Sequence, residues 1–245
     1  MDHRSDPLKC DSGTDGYRIV AKEKGGENTV KFHNITKNYG KKTVLRSFHL
    51  ELDNHEVTCL LGPSGCGKTT LMRIGAGLEK IEEGSVTERP KKCSFVFQED
   101  RLLPWCRAVD NMTILGVSKS RALEALDSVG LGKEESSFPD TMSGGMRRRL
   151  AIARALAFGG DYYFLDEPCR GLDSTTKAEV LTAIKKMIGN KGALLITHDK
   201  DEALVLAHRI LVAEGLPLTI TKDLPVGGSF EIEKLFQKIH TEDEG

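Results

Sequence analysis

Several things are missing from this 245-residue chain, and each absence narrows its class. No apolar run reaches the roughly 18 residues that a membrane-spanning helix needs. The opening stretch, 1–16, is polar and charged, so it does not read as a secretory signal. The six cysteines (Cys10, Cys59, Cys66, Cys93, Cys106 and Cys169) contain no C-x-x-C pair. That argues against a disulfide scaffold or a zinc site and for reduced thiols in an intracellular protein. Excess charge is missing too: 35 Lys and Arg against 36 Asp and Glu leave a net charge of −1, no footprint for a general nucleic-acid binder. His3, His33, His49, His55, His208 and His240 show no metal-ligand spacing, and there is no internal repeat.

What is present is a globular balance, 39% apolar and 29% charged, at the size of one large domain. Residues 1–28 carry little hydrophobic pattern and are expected to form a flexible extension. Strands are expected from Thr29, over 44–52, over 56–61 with an abrupt stop at Gly62, and over 93–97. Leu71, Met72, Ile74 and Leu78 place a helix after Gly62. The stretch 102–142 reads as helical, and another helix opens near Ser143. Strands over 162–165, 193–197 and 209–212 alternate with a helix capped by Ser174 and a helix over 201–207. A last amphipathic stretch holds Phe230, Ile232, Leu235, Phe236 and Ile239. The alternation implies an α/β fold with a largely parallel sheet covered on both faces.

The strongest motif is Gly62-Pro63-Ser64-Gly65-Cys66-Gly67-Lys68-Thr69, a full G-x-x-x-x-G-K-[ST] between a predicted strand and a predicted helix. Glycines let the backbone curl so that successive N–H groups point at phosphate oxygens, and the helix begins with its positive dipole end at the same place. Lys68 can reach the β- and γ-phosphates of ATP, Thr69 can offer its hydroxyl to Mg²⁺, and Thr70 continues the cradle. The second motif is an apolar strand that ends in Asp166 and Glu167, delivered to the sheet edge where ligands collect. Asp166 suits the Mg²⁺ shell, and Glu167 is placed to polarise an attacking water.

Between the two lies Met142-Ser143-Gly144-Gly145-Met146. With both phosphate motifs it resembles the L-S-G-G-Q signature of ATP-binding cassette (ABC) ATPases, with Met142 for leucine and Met146 for glutamine. The resemblance covers about 29–215. It implies a P-loop NTPase of RecA-like, mostly parallel sheet, with an antiparallel β subdomain, a helical insert at about 102–142 and a C-terminal tail, 216–245, carrying a short amphipathic helix. By the same resemblance Tyr39 matches the aromatic that stacks on adenine. Gln98 matches the glutamine that senses Mg²⁺ and the γ-phosphate, Gly171-Leu172-Asp173 the D-loop, and His198 the switch histidine.

The signature glycines open a helix and so form a second anion site. The family implies a head-to-tail homodimer with ATP sandwiched between one chain's P-loop and the other's signature. The run Phe97-Gln98-Glu99-Asp100-Arg101-Leu102-Leu103-Pro104-Trp105 resembles the importer ATPases for nitrate, sulfonate and taurine. It implies an integral membrane permease as partner and a peripheral place on the cytoplasmic face of the plasma membrane. Leu102, Leu103 and Trp105 fit a groove for a permease helix, and equally the core of the helical lobe. A soluble ABC ATPase of repair, translation or cofactor assembly is the alternative. Repair relatives need long heptads and translation relatives two cassettes, and this sequence has neither. A nucleotide-binding regulator without turnover is a third reading, opposed by Glu167 and His198.

Overall fold

The computed structural model describes residues 29–226 and Phe236. The expected extension 1–28 lies outside the described residues, as does the C-terminal amphipathic stretch apart from Phe236, which is helical and buried. Two sheets organise the chain. The first is antiparallel, with β1 (Thr29–Tyr39) between β2 (Lys42–Asp53) and β4 (Glu83–Thr87). The second contains β3 (Val57–Leu61), β5 (Cys93–Val96), β6 (Tyr162–Asp166), β7 (Gly192–Ile196), β8 (Arg209–Glu214) and β9 (Thr219–Pro225), in the order β5-β6-β7-β3-β8-β9. All neighbours there are parallel except β9, which runs antiparallel to β8.

The central strands are apolar along their length because both faces are covered. In β3, Cys59 and Leu61 join one core while Leu60 joins the other; in β6, Tyr163 and Leu165 oppose Tyr162 and Phe164. That is the two-residue period of a strand read on two faces. One core lies against the helices α3 (Lys119–Ser128), α4 (Gly144–Phe158) and α5 (Ser174–Ile188); the other lies under α1 (Lys68–Gly75) and the antiparallel sheet. Each fully buried Leu or Phe contributes roughly 1.5–3 kcal/mol to holding these layers.

Several expectations are corrected. Helix α1 ends at Gly75, and Leu78, placed on its apolar face by spacing, is 55% exposed beyond the left-handed Gly77. The 102–142 region is less helical than its pattern: α2 (Asp110–Thr113), α3 and a 3-10 turn at Pro139–Thr141 are joined by loops. Asp173, not Ser174, caps α5, its carboxylate accepting from the Thr176 N–H at 3.0 Å. Strand β9 carries the sheet past the expected boundary at residue 215, to Pro225. Trp105 is 73% exposed, so the core reading of that residue fails, while Leu102 packs on the core.

Candidate active site

The cradle begins where β3 stops. Gly62 has φ +152, and a Cβ there would lie 2.2 Å from the carbonyl oxygen of Ala213 in the adjacent β8. Gly67 has φ +112, and a Cβ there would lie 2.6 Å from Val44 of β2. No side chain could occupy either position without moving backbone or core. Gly67 is the N-cap of α1 and makes no side-chain cap bond, so the helix start keeps its first N–H groups for an outside acceptor. Lys68 is buried, and its ammonium donates to the carbonyls of Gly62 at 2.6 Å and Pro63 at 2.8 Å. Ser64 and Gly65 form the exposed tip, with Pro63 and Thr70 half-buried on either side. Cys66 points its thiol into the core under α1, so its share in the cradle is backbone.

Thr69, one residue into α1, donates its hydroxyl to Asp166 Oδ2 at 2.9 Å. Gln98, at the exit of β5, lines the same cavity as Thr69 and Asp166. Burial pushes the Asp166 carboxyl above its ordinary value and Glu167 adds to this, while the Thr69 hydrogen bond and Lys68 pull it back. A buried carboxylate beside a hydroxyl is a set of hard oxygen donors that a small cation would satisfy. Among the described residues no cluster of three or more His, Cys, Asp or Glu forms a cage for a metal.

Strands β6 and β7 are paired in parallel with Asp166 beside Ile196, so the residues that follow them emerge side by side. Glu167 follows one and His198 follows the other; their Oε1 and Nε2 atoms are 3.5 Å apart. Glu167 adopts φ +48, unusual for a non-glycine residue and costing on the order of 1–3 kcal/mol. The surroundings hold it there. Its N–H donates to Ile196 at 2.8 Å, its carbonyl accepts from Arg148, and its Oε2 accepts from Arg170 at 3.2 Å.

Two residues here carry no sequence motif. Arg148, on α4, is buried among the exits of β5 and β6. Glu202 on α6 (Lys200–Leu206) is 2% exposed and accepts from the Cys169 N–H at 3.0 Å. Burial pushes its carboxyl up to about 7, with Asp199 adding and the Thr197 hydrogen bond opposing.

The signature segment opens α4. Ser143 caps α4, accepting from the Met146 N–H at 3.2 Å, and Ser143 and Gly144 are exposed. Gly145 faces Leu172, so the signature lies beside the turn that leads into Asp173. Met146 packs partly on the main core. Tyr39 ends β1 at 45% exposure, with the Lys37 ammonium 4.8 Å from its ring centre.

Residues 45–170 match the family model described as ABC transporter. The chain belongs to the ABC transporter family. It is 40% identical over 196 residues to the aliphatic sulfonates import ATP-binding protein SsuB 2 of Pseudomonas syringae pv. tomato, covering 78% of this chain and 84% of that one. A similar protein, SsuB 3 of Paraburkholderia xenovorans, is 40% identical over 188 residues, covering 75% and 76%. Among solved structures, a dimeric post-hydrolysis state of the ATP-binding cassette MJ0796 bound to ADP and Pi superposes with a TM-score of 0.73 at 29% identity, over 81% of this chain and 99% of that one. The fold is therefore the ABC cassette: a P-loop NTPase with an antiparallel sheet beside the mainly parallel one.

Proposed function

We propose that this chain is the ATP-hydrolysing subunit of an ABC importer for a small sulfonate-like solute, working as a head-to-tail dimer on a separate membrane permease. The observation that carries it is the joining of Thr69 to Asp166 and of Glu167 to His198 at one sheet edge, next to the Lys68 cradle. In this reading Lys68 and the 62–70 backbone hold the phosphates, and Tyr39 stacks on adenine. Thr69, Gln98 and Asp166 would hold Mg²⁺, which would supply neutralisation of the phosphate charge. Glu167 takes the proton of the attacking water, and His198 fixes the Glu167 carboxylate and the γ-phosphate side of the site. Ser143, Gly144, Gly145 and Asp173 serve the partner's nucleotide, so hydrolysis loosens the dimer.

The solute class rests on the relatives named as aliphatic sulfonate importers. Among the described residues no helix is long and apolar enough to cross a membrane. In this reading the chain is peripheral on the cytoplasmic face, held there by the permease. Trp105, Ile114 and Leu115 are exposed on the small lobe around α2, where Asn111 clamps the 103–107 loop to that helix. Such an apolar surface suits a permease helix better than it suits a free ATPase of repair or translation.

The test is the Glu167→Gln chain with ATP and Mg²⁺, read by light scattering and by single-turnover hydrolysis. Hydrolysis falls roughly 100-fold or more while nucleotide affinity holds, and a dimer accumulates. A monomer at saturating ATP overturns the sandwich. Co-purification with a multi-span permease, and stimulation by a sulfonate-loaded binding protein, test the importer assignment.

A further inference from the structure

Arg148 lies one and a half turns inside the signature end of α4 and is 4% exposed. Its guanidinium reaches two separate segments. Nε donates to the Pro168 carbonyl at 2.7 Å, and Nη2 donates to the carbonyls of Asp166 at 3.0 Å and Glu167. Nη1 donates to the carbonyls of Phe97 at 2.6 Å and Gln98 at 3.4 Å, and to the Asp100 carboxylate at 3.2 Å. Burying a cation is costly, and a planar fork with five N–H donors recovers that cost only where acceptors surround it. Here the acceptors are the backbones of the segments that carry Gln98, Asp166 and Glu167.

We propose that Arg148 is a positioning residue for hydrolysis: it pins the backbones of Glu167 and Gln98 and ties both to the signature helix. The inference rests on the functional reading above. Glu167 sits at φ +48, a conformation that persists only where its surroundings impose it, and the Arg148 bond to its carbonyl is one of those restraints. The same helix begins at the Ser143 cap, which on the functional reading meets the partner's nucleotide. A helix moves as a unit over so short a distance. A shift at Ser143 therefore reaches Glu167 and Gln98 through one side chain, and each ATP site gains a mechanical link to the other.

The experiment is a double-mutant cycle. Arg148→Gln is made in the natural chain and in the Glu167→Gln chain, with steady-state kinetics, single-turnover hydrolysis, nucleotide affinity and thermal melting. In the natural chain kcat falls roughly tenfold or more while KM for ATP stays within about threefold, and the Hill coefficient for ATP drops toward one. In the Glu167→Gln chain the added loss is under about threefold, because the side chain being positioned is already gone. Arg148→Lys, a point charge without the fork, restores little. Equal losses in both backgrounds, or an unchanged kcat, overturn the proposal. Where Arg148 variants do not fold, Asp100→Ala decides, since the Asp100 carboxylate holds Nη1 beside the Phe97 and Gln98 carbonyls and its loss loosens the fork: a few-fold lower kcat at constant KM supports it, and an unaltered kcat overturns it. Glu167→Gln that hydrolyses normally would instead overturn the functional reading itself.

Discussion

Gly62 and Gly144 are both glycines at the start of an anion-facing turn, yet they are glycine for different reasons. At Gly62 the chain itself forbids anything else: φ is +152 and a Cβ would meet the Ala213 carbonyl oxygen at 2.2 Å. At Gly144 and Gly145 the conformation is ordinary helix, and the nearest atoms to an added Cβ are the Arg147 guanidinium at 4.0 Å and Leu172 at 3.6 Å. Nothing among the described residues asks for glycine there, and glycine in a helix costs about 0.5–1 kcal/mol relative to alanine. That cost makes sense if the demand comes from outside, from a nucleotide and a second chain that approach the backbone closely. On the proposed reading, the first cradle is complete in one subunit, and the second is a surface prepared for another.

The largest way to break this contrast is to remove the charge from the complete cradle. Lys68→Ala deletes the ammonium that bridges the Gly62 and Pro63 carbonyls and that, on the proposed reading, would face the phosphates of bound ATP. Turnover falls roughly 100-fold or more, as for loss of a preorganised group that meets developing charge. An ATPase assay on the purified chain checks it, and near-normal turnover would remove the phosphate role of this loop.

A matched pair of alanines sharpens the contrast itself. Gly62→Ala pushes backbone apart and destabilises the fold by roughly 2 kcal/mol or more, with nucleotide binding lost alongside. Gly144→Ala does the opposite to the isolated subunit, raising its stability by about 0.5–1 kcal/mol, and still slows turnover by weakening the ATP-driven dimer. Thermal melts and light scattering read the two effects separately. A Gly144→Ala chain that dimerises and turns over normally would show that the signature backbone meets nothing closely.

How much of this was legible beforehand depends on where the determining partners lie. Strands β3, β6 and β7 were readable because burial on both faces makes nearly every residue apolar, Thr58 and the terminal Asp166 apart, and that is a local signal. Strand β4, Glu83–Thr87, was not: it is exposed at a sheet edge, contains Gly84, and owes its form to pairing with β1 some fifty residues earlier. Strand β9 is likewise an edge strand of mixed pattern, set by β8. Leu78 kept a helical spacing after the helix had stopped, since spacing does not register the left-handed turn at Gly77. The site shows the same division. Backbone-defined motifs such as 62–69 are contiguous, and their residues could be named in advance. Arg148 and Glu202 act on segments far away in the chain, Arg148 on Phe97 51 residues before it, and no pattern around either one announces the partner.

The smallest expected effect concerns the departure from the signature, Met146. Its side chain packs partly on the main core while its N–H is held by Ser143, so it serves the subunit's own packing as well as the exposed turn. Met and Gln have similar helix propensities, so Met146→Gln isolates the side chain's surroundings. Half of the glutamine would lie against apolar atoms, and its amide would have to turn outward to stay hydrated. Stability should fall by about 1 kcal/mol or less. Turnover should stay within about threefold of the natural chain or rise, because an amide turned outward adds a donor beside the backbone that meets the nucleotide. A much larger loss of turnover without a matching loss of stability would place Met146 itself in the contact between subunits, and the second cradle would then depend on a side chain as well as on bare backbone.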